Sequence, residues 1–277
     1  MKVIETIAEM KEARRQIAGP LGFVPTMGYL HEGHMSLARQ AKEENPTVAA
    51  SIFVNPTQFG PSEDFESYPR NIERDLSMLE KEKTAIVFMP APSEIYPPGF
   101  DSWVETGTIT TKLEGASRPT HFRGVTTVVN KLFNIVQPTK AYFGQKDAQQ
   151  LAVIKKMAKD LDMNLEVIAC PTIREPDGLA LSSRNTYLKP DERKAAAVLY
   201  QSLILAEQLY KQGEKDAEKI RKAMTELIGR QSLANIDYVS IADNETLEEL
   251  DLINAPALVS LAVQIGKPRL IDNIVLE

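Results

Sequence analysis

The residues best suited to chemistry in this chain are His31 and His34, which bracket Gly33 in the run FVPTMGYLHEGH and are two of only three histidines. An apolar, strand-like segment precedes them and a helix-like one follows. The first amides of a helix have no intrahelical partner, and the macrodipole is positive there, so a helix start attracts anions. Two imidazoles at that point suit the phosphates of a nucleotide, and Gly28 and Gly33 let the backbone come close to them. A zinc site is the competing reading. It needs at least three protein ligands, and only His121 and Cys170 remain to supply them, with no paired spacing. A hard-metal site on carboxylates stays open.

Three more polar clusters each follow an apolar run. In FVNPTQFG, Asn55-Pro56 signals a turn, and the Gln58 amide, which both donates and accepts, matches a hydroxyl and a carboxylate together. In AYFGQKDAQQ, Lys146 is placed to meet a phosphate as a point charge, Asp147 is a good helix cap, and Gln150 lies one turn into the next helix. In REPDGLALSSRN, Arg184 offers bidentate phosphate contacts and Ser182 and Ser183 offer hydroxyl donors. Taken singly, each of these is a solvated turn. With Lys146 and the histidines, the Ser182-Ser183-Arg184 segment forms a second positive wall across a triphosphate site.

The elements that must position these groups follow from periodicity. Helices are predicted over 5–16, 34–44, 71–83, 125–136 and 148–161, alternating with strands over 21–24, 47–54, 85–89, 141–143 and 165–169. A short additional strand is expected at 103–105, followed by a polar loop over 114–124. Alternation of this kind favours a parallel sheet covered by helices, with ligands bound beyond the carboxyl ends of the strands. Past residue 176 the pattern changes to two long helices, 190–212 and 215–231, and strands at 238–241, 258–263 and 269–275. The fold class is therefore α/β, with a large domain over 1–175 and a smaller α+β domain over 176–277.

Composition narrows the function further. At 277 residues the chain can bury roughly three quarters of its unfolded surface. Lys and Arg total 32 against 38 Asp and Glu, a net charge of −6 without a long single-sign run, which argues against a general nucleic-acid binder. One cysteine, Cys170, leaves no intramolecular disulfide and is expected to be a small buried hydrophobe in a reducing, cytoplasmic setting. Neither a signal-peptide pattern nor an apolar run of about 18 residues is found, so no membrane role is expected.

The segments PTMGYLHEGH, FVNPTQFG with YPR, HFRGVTTVVNKLFNIV, FGQKDAQQL and REPDGLALSSRN, in this order, closely resemble the pantoate–beta-alanine ligase (pantothenate synthetase) family of the HxGH nucleotidyltransferase superfamily. The resemblance implies a Rossmann-like domain with the smaller domain closing over its site. It also implies an ATP- and magnesium-dependent reaction through pantoyl adenylate, in a cytoplasmic homodimer. Nucleotide contacts map onto Met27, Gly28, Tyr29, Leu30, His31, Glu32, Gly33 and His34. They continue at Gly144, Gln145, Lys146 and Asp147, at Ile173, and at Leu181, Ser182, Ser183 and Arg184. Pantoate contacts map onto Gln58 and Gln150, Gln58 also serving beta-alanine, and the proton donor maps onto His34. His31, His34, Lys146 and Arg184 are the candidates for charge stabilisation. Arg118 and His121 are candidates to cover the phosphates, and Asp75 is a candidate metal ligand. A transferase that stops after nucleotidyl transfer, or a nucleotide-binding module without turnover, would use much the same residues.

Overall fold

In chain order the residues described in this computed structural model, 1–61 and 63–277, first form an alternating series. It runs β1 (Lys2–Ile4), α1 (Ile7–Arg15), β2 (Leu21–Thr26), α2 (Glu32–Glu44), β3 (Thr47–Ile52), α3 (Ile72–Lys81) and β4 (Ile86–Phe88). There follow α4 (Pro92–Ile95), α5 (Glu114–Ser117), α6 (His121–Val136), β5 (Lys140–Gly144), α7 (Ala148–Asp160) and β6 (Glu166–Cys170). The rest comprises α8 (Pro190–Ala195), α9 (Ala197–Lys211), α10 (Ala217–Gly229), β7 (Ala234–Asp243), β8 (Ala257–Ile265) and β9 (Arg269–Leu276).

Strands β1 to β6 pair in parallel in the order β1-β4-β3-β2-β5-β6. Successive side chains of a strand point to opposite faces, and both faces here are apolar. Phe23, Ala49, Phe88, Ala141 and Phe143 enter one core with α1, α6 and α7. Val24, Val48, Ala50, Val87 and Tyr142 enter another with α2 and α3, and Cys170, the last residue of β6, lies in this second core. Burial pushes the Cys170 thiol up to about 11, so it is an inert hydrophobe at the strand end. The chain turns from one side of the sheet to the other between β2 and β5, which are neighbours in the sheet and far apart in sequence. That is the switch point where α/β sheets bind ligands.

The chain divides into two compact units, 1–144 with 149–171, and 145–148 with 172–277. In the second, β7, β8 and β9 form an antiparallel sheet. Its core joins Leu203, Ala206, Ile220 and Met224 from the helices to Val259, Leu261 and Val263 from β8. No helix among the described residues is long and apolar enough to cross a membrane.

Four local expectations change. The first is the polar loop expected over 114–124, which is largely helical: α5 takes Glu114–Ser117, and α6 starts at His121 because His121, Phe122 and Gly124 are buried there. Residues 103–105 are not a strand, because helix side chains satisfy the backbone there: Val104 donates to Thr127 Oγ1 at 3.0 Å and its carbonyl accepts the Thr126 hydroxyl. The 190–212 helix is interrupted at Ala196, which stays right-handed (φ −62°, ψ −21°) while Leu199 donates back to it at 3.2 Å, a local tightening of the coil. The three-residue β1 pairs at the sheet edge with β4 and is too short to carry a periodic signal of its own.

Candidate functional site

Met27–His31 connect β2 to α2, and the chain is left-handed at two consecutive positions there, Gly28 (φ 81°) and Tyr29 (φ 47°). For Tyr29 that conformation costs about 1 to 2 kcal/mol. It is held by Asp75, on the first turn of α3 and 1% exposed, which accepts the Tyr29 N–H at 2.7 Å on Oδ2 and the Leu30 N–H at 2.8 Å on Oδ1. Burial raises the Asp75 carboxyl above its ordinary value, and the two amides pull the other way. The positive φ favours glycine at position 28, and an added Cβ would also stand 3.0 Å from Ile52 and 3.2 Å from Asp75 Oδ2, pressing on both side chains by a few tenths of an ångström. Both Asp75 oxygens thus serve the backbone of the turn. Among the described residues no group of three or more His, Cys, Asp or Glu is gathered to hold a metal ion.

Helix α2 begins two residues earlier than its apolar pattern suggests because the histidines cap it. His31 Nδ1 accepts the Gly33 N–H at 3.2 Å, and His34 Nδ1 accepts the His31 N–H at 3.3 Å, with the ring centroids 4.1 Å apart. A ring nitrogen that accepts an N–H carries no proton, so in the neutral imidazoles the proton sits on Nε2. The cap therefore fixes both rings as Nε2–H donors at a helix N-terminus, which is a sound arrangement for phosphate oxygens.

Gln58 closes the 3-10 turn Pro56–Gln58 that follows β3, is 8% exposed, and donates from Nε2 to Met27 Sδ at 3.1 Å. Buried Asn55 donates to Gln58 Oε1 and to the Gly124 carbonyl, both at 3.1 Å, and accepts the Tyr96 hydroxyl at 2.8 Å. Arg118 and His121, the residues expected to help cover the phosphates, hold the Gln58 backbone. Its carbonyl accepts from His121 Nδ1 at 2.9 Å and from Arg118 at 3.2 Å, and Arg118 forms a bidentate pair with Glu63. A carbonyl only accepts and a guanidinium only donates, so His121 is neutral with its proton on Nδ1 and accepts Arg118 on Nε2 at 3.2 Å. Gln150 lies half-buried on the first turn of α7. Its neighbour Gln149, 5% exposed, ties the preceding loop through Glu114 N–H and the carbonyls of Ile109 and Lys112.

Burial, reinforced by the Arg118 charge, lowers His121 from 6.5 to about 4. Between those values the unfolded chain takes up a proton that the folded chain refuses, so the stabilisation is complete above about pH 6.5 and is lost as pH falls towards 4. Denaturant unfolding at pH 7.5 and 4.5 is expected to show about 2 to 3 kcal/mol lost through this group, a loss reduced in His121→Gln. An identical pH dependence in the variant would remove the assignment.

In the second unit, the Arg174–Ala180 bridge and the bond from Leu181 N–H to the Ile173 carbonyl at 2.9 Å fold residues 173–181 into a hairpin. Its end runs into the 3-10 turn Ser183–Tyr187, capped by Ser182 Oγ accepting the Arg184 N–H at 3.3 Å. Ile173, Leu181, Ser182, Ser183 and Arg184 are therefore brought to one end of a hairpin. Gln145–Asp147 form a separate 3-10 turn, with Lys146 Nζ 3.8 Å from Asp147 Oδ1. Met27–His34, Gln58, Gly144 and Gln150 belong to the first unit, while Gln145–Asp147, Ile173 and Leu181–Arg184 belong to the second.

The sequence profile of pantoate-beta-alanine ligases matches residues 2–275. The chain is 57% identical to the pantothenate synthetase of Thermotoga petrophila and 59% identical to that of Herpetosiphon aurantiacus, covering 100% of each chain in both comparisons. Its structure is similar to the crystal structure of pantothenate synthetase from Thermus thermophilus, with a TM-score of 0.95, 46% identity and 99% of each chain covered. It is also similar to the pantoate-beta-alanine ligase of Francisella tularensis, crystallised with beta-gamma ATP and beta-alanine, with a TM-score of 0.82 and 36% identity over 99% of this chain and 97% of that one. Full-length agreement in sequence and fold means that the chain belongs to the pantoate-beta-alanine ligase family.

Proposed function

We propose that this chain joins pantoate to beta-alanine at the expense of ATP, in two steps. The pantoate carboxylate attacks the α-phosphorus and the bond to pyrophosphate breaks, giving pantoyl adenylate. The beta-alanine amine then attacks the acyl carbon, and AMP leaves as the amide forms. A carboxylate is already a competent nucleophile, so the demand on the protein is alignment and stabilisation of charge growing on phosphate oxygens.

The observation that carries this reading is the 3.1 Å contact between Gln58 Nε2 and Met27 Sδ. It sets an amide suited to a hydroxy acid beside a turn suited to phosphate, which is the juxtaposition adenylation needs. In this reading Gln58 and Gln150 hold pantoate, and Gln58 then receives beta-alanine. The backbone of Met27–Gly33 cradles the nucleotide, the Nε2–H groups of His31 and His34 donate to its phosphates, and His34 supplies the proton donor. Gly144–Asp147, Ile173 and Leu181–Arg184 complete the nucleotide contacts, Lys146 and Arg184 neutralising charge. Asp75 is assigned to the turn. Magnesium is read as part of the substrate, carried on the phosphates of ATP, since that ion keeps waters and substrate oxygens and the Asp75 carboxylate is engaged by backbone amides. A homodimer working in the cytoplasm completes the proposal.

Mixing the protein with ATP and pantoate alone is expected to give one pyrophosphate per site and a bound acyl adenylate. AMP should appear only on adding beta-alanine, one per amide formed. Continued release of a nucleotidyl product without amide would identify a transferase, and ATP binding with no turnover a non-catalytic module.

A further inference from the structure

We propose that Asn273, on the C-terminal strand β9, is a positioning residue for Lys146. Asn273 is 4% exposed and spends its whole side chain on the turn that carries the lysine. Its two amide hydrogens go to consecutive carbonyls, Gln145 at 2.9 Å and Lys146 at 2.8 Å, and its Oδ1 accepts Gln145 Nε2 at 3.2 Å. Fixing two successive carbonyls fixes the peptide planes on either side of the Lys146 Cα, and hence the direction in which its side chain leaves the backbone. A lysine is a point charge on a flexible stem, so that direction is what a neighbouring residue can set.

The strand is itself locked. Arg174 pairs with Asp272 through both nitrogens (2.5 and 2.9 Å), donates to the Asn273 carbonyl at 3.3 Å, and lies 4.4 Å over the Tyr200 ring. Asp272 Oδ1 in turn accepts the Asn273 N–H at 2.8 Å. Arg174 also opens the hairpin that leads to Ser182–Arg184, so one two-residue stretch of β9 braces both nucleotide-binding segments of this unit.

The inference rests on the reading that Lys146 meets the phosphates of ATP, and the test separates the two. Pyrophosphate release in the first half-reaction is measured for Asn273→Ala, Asn273→Asp, the milder Asn273→Ser, Lys146→Ala and the Lys146→Ala/Asn273→Ala double variant, alongside pantoate binding and thermal unfolding. Asn273→Ala is expected to lower kcat about tenfold and raise KM for ATP, with pantoate affinity kept within about twofold. Asn273→Asp, which sets a carboxylate against two carbonyls, should be at least as severe, and Asn273→Ser intermediate. In the Lys146→Ala background Asn273→Ala should cost less than about twofold, because a residue acting through the lysine has nothing left to position. Full additivity in the double variant, or wild-type ATP kinetics in folded Asn273 variants, overturns the proposal. Wild-type adenylation by Lys146→Ala itself overturns the reading beneath it as well.

Discussion

Replacing His34 by alanine is expected to slow pyrophosphate release from ATP and pantoate by about 10²- to 10³-fold, or about 3 to 4 kcal/mol, the size of effect when one preorganised donor is removed from a charge-stabilising site. The donor proposed here is the Nε2–H that the cap favours by keeping Nδ1 on the His31 N–H. The same substitution opens that cap, which costs about 1 kcal/mol of folding stability against a typical total of about 5 to 15. The two losses can be told apart with His34→Gln. A glutamine three residues into a helix can still accept the N-cap N–H, so the variant should unfold near the wild-type midpoint and still lose most of its adenylation rate. Pyrophosphate release unaltered in folded His34→Ala would remove the histidine from the chemistry.

How much of this was legible in the sequence follows the range of each interaction. The strand–helix alternation of the first unit is local and periodic, and it is what the structure contains. The histidine turn was legible because its residue types are rare and clustered. Its depth was not: helix propensity does not show that an imidazole can replace serine as a cap, so α2 starts at Glu32. The supports of the site are long-range. Asp75 reaches 46 residues back to Tyr29, His121 reaches 63 back to Gln58, and Asn273 reaches 127 back to Lys146. A lone polar residue inside an apolar period is the only trace such partners leave, and it reads equally well as a solvated side chain. Residues 103–105 failed in the opposite way, being strand-like in composition and claimed by Thr126 and Thr127 of a helix.

Gly124→Ala is the second large effect expected, and it sets two physical terms against each other. Glycine inside α6 is a poor helix former, and on propensity alone alanine should stabilise the helix by about 1 kcal/mol. In the fold, a Cβ at this position would stand 2.4 Å from the Thr57 carbonyl oxygen and 2.7 Å from the Gln58 nitrogen. Both are backbone atoms and cannot swing aside, so the helix or the 56–58 turn must shift, and overpacking of this kind costs about 1 to 3 kcal/mol. The shift would also stretch the 3.1 Å bond from Asn55 to the Gly124 carbonyl and move the Gln58 carbonyl away from His121. Pantoate should feel this directly, because the turn that must yield is the one whose side chain is proposed to hold it. Titration calorimetry is expected to show pantoate binding weakened by about tenfold or more, with net stability lowered despite the better helix former. If Gly124→Ala instead raised the melting temperature and left pantoate affinity intact, helix propensity would have won, and the close approach of α6 to Gln58 could not be what shapes the site.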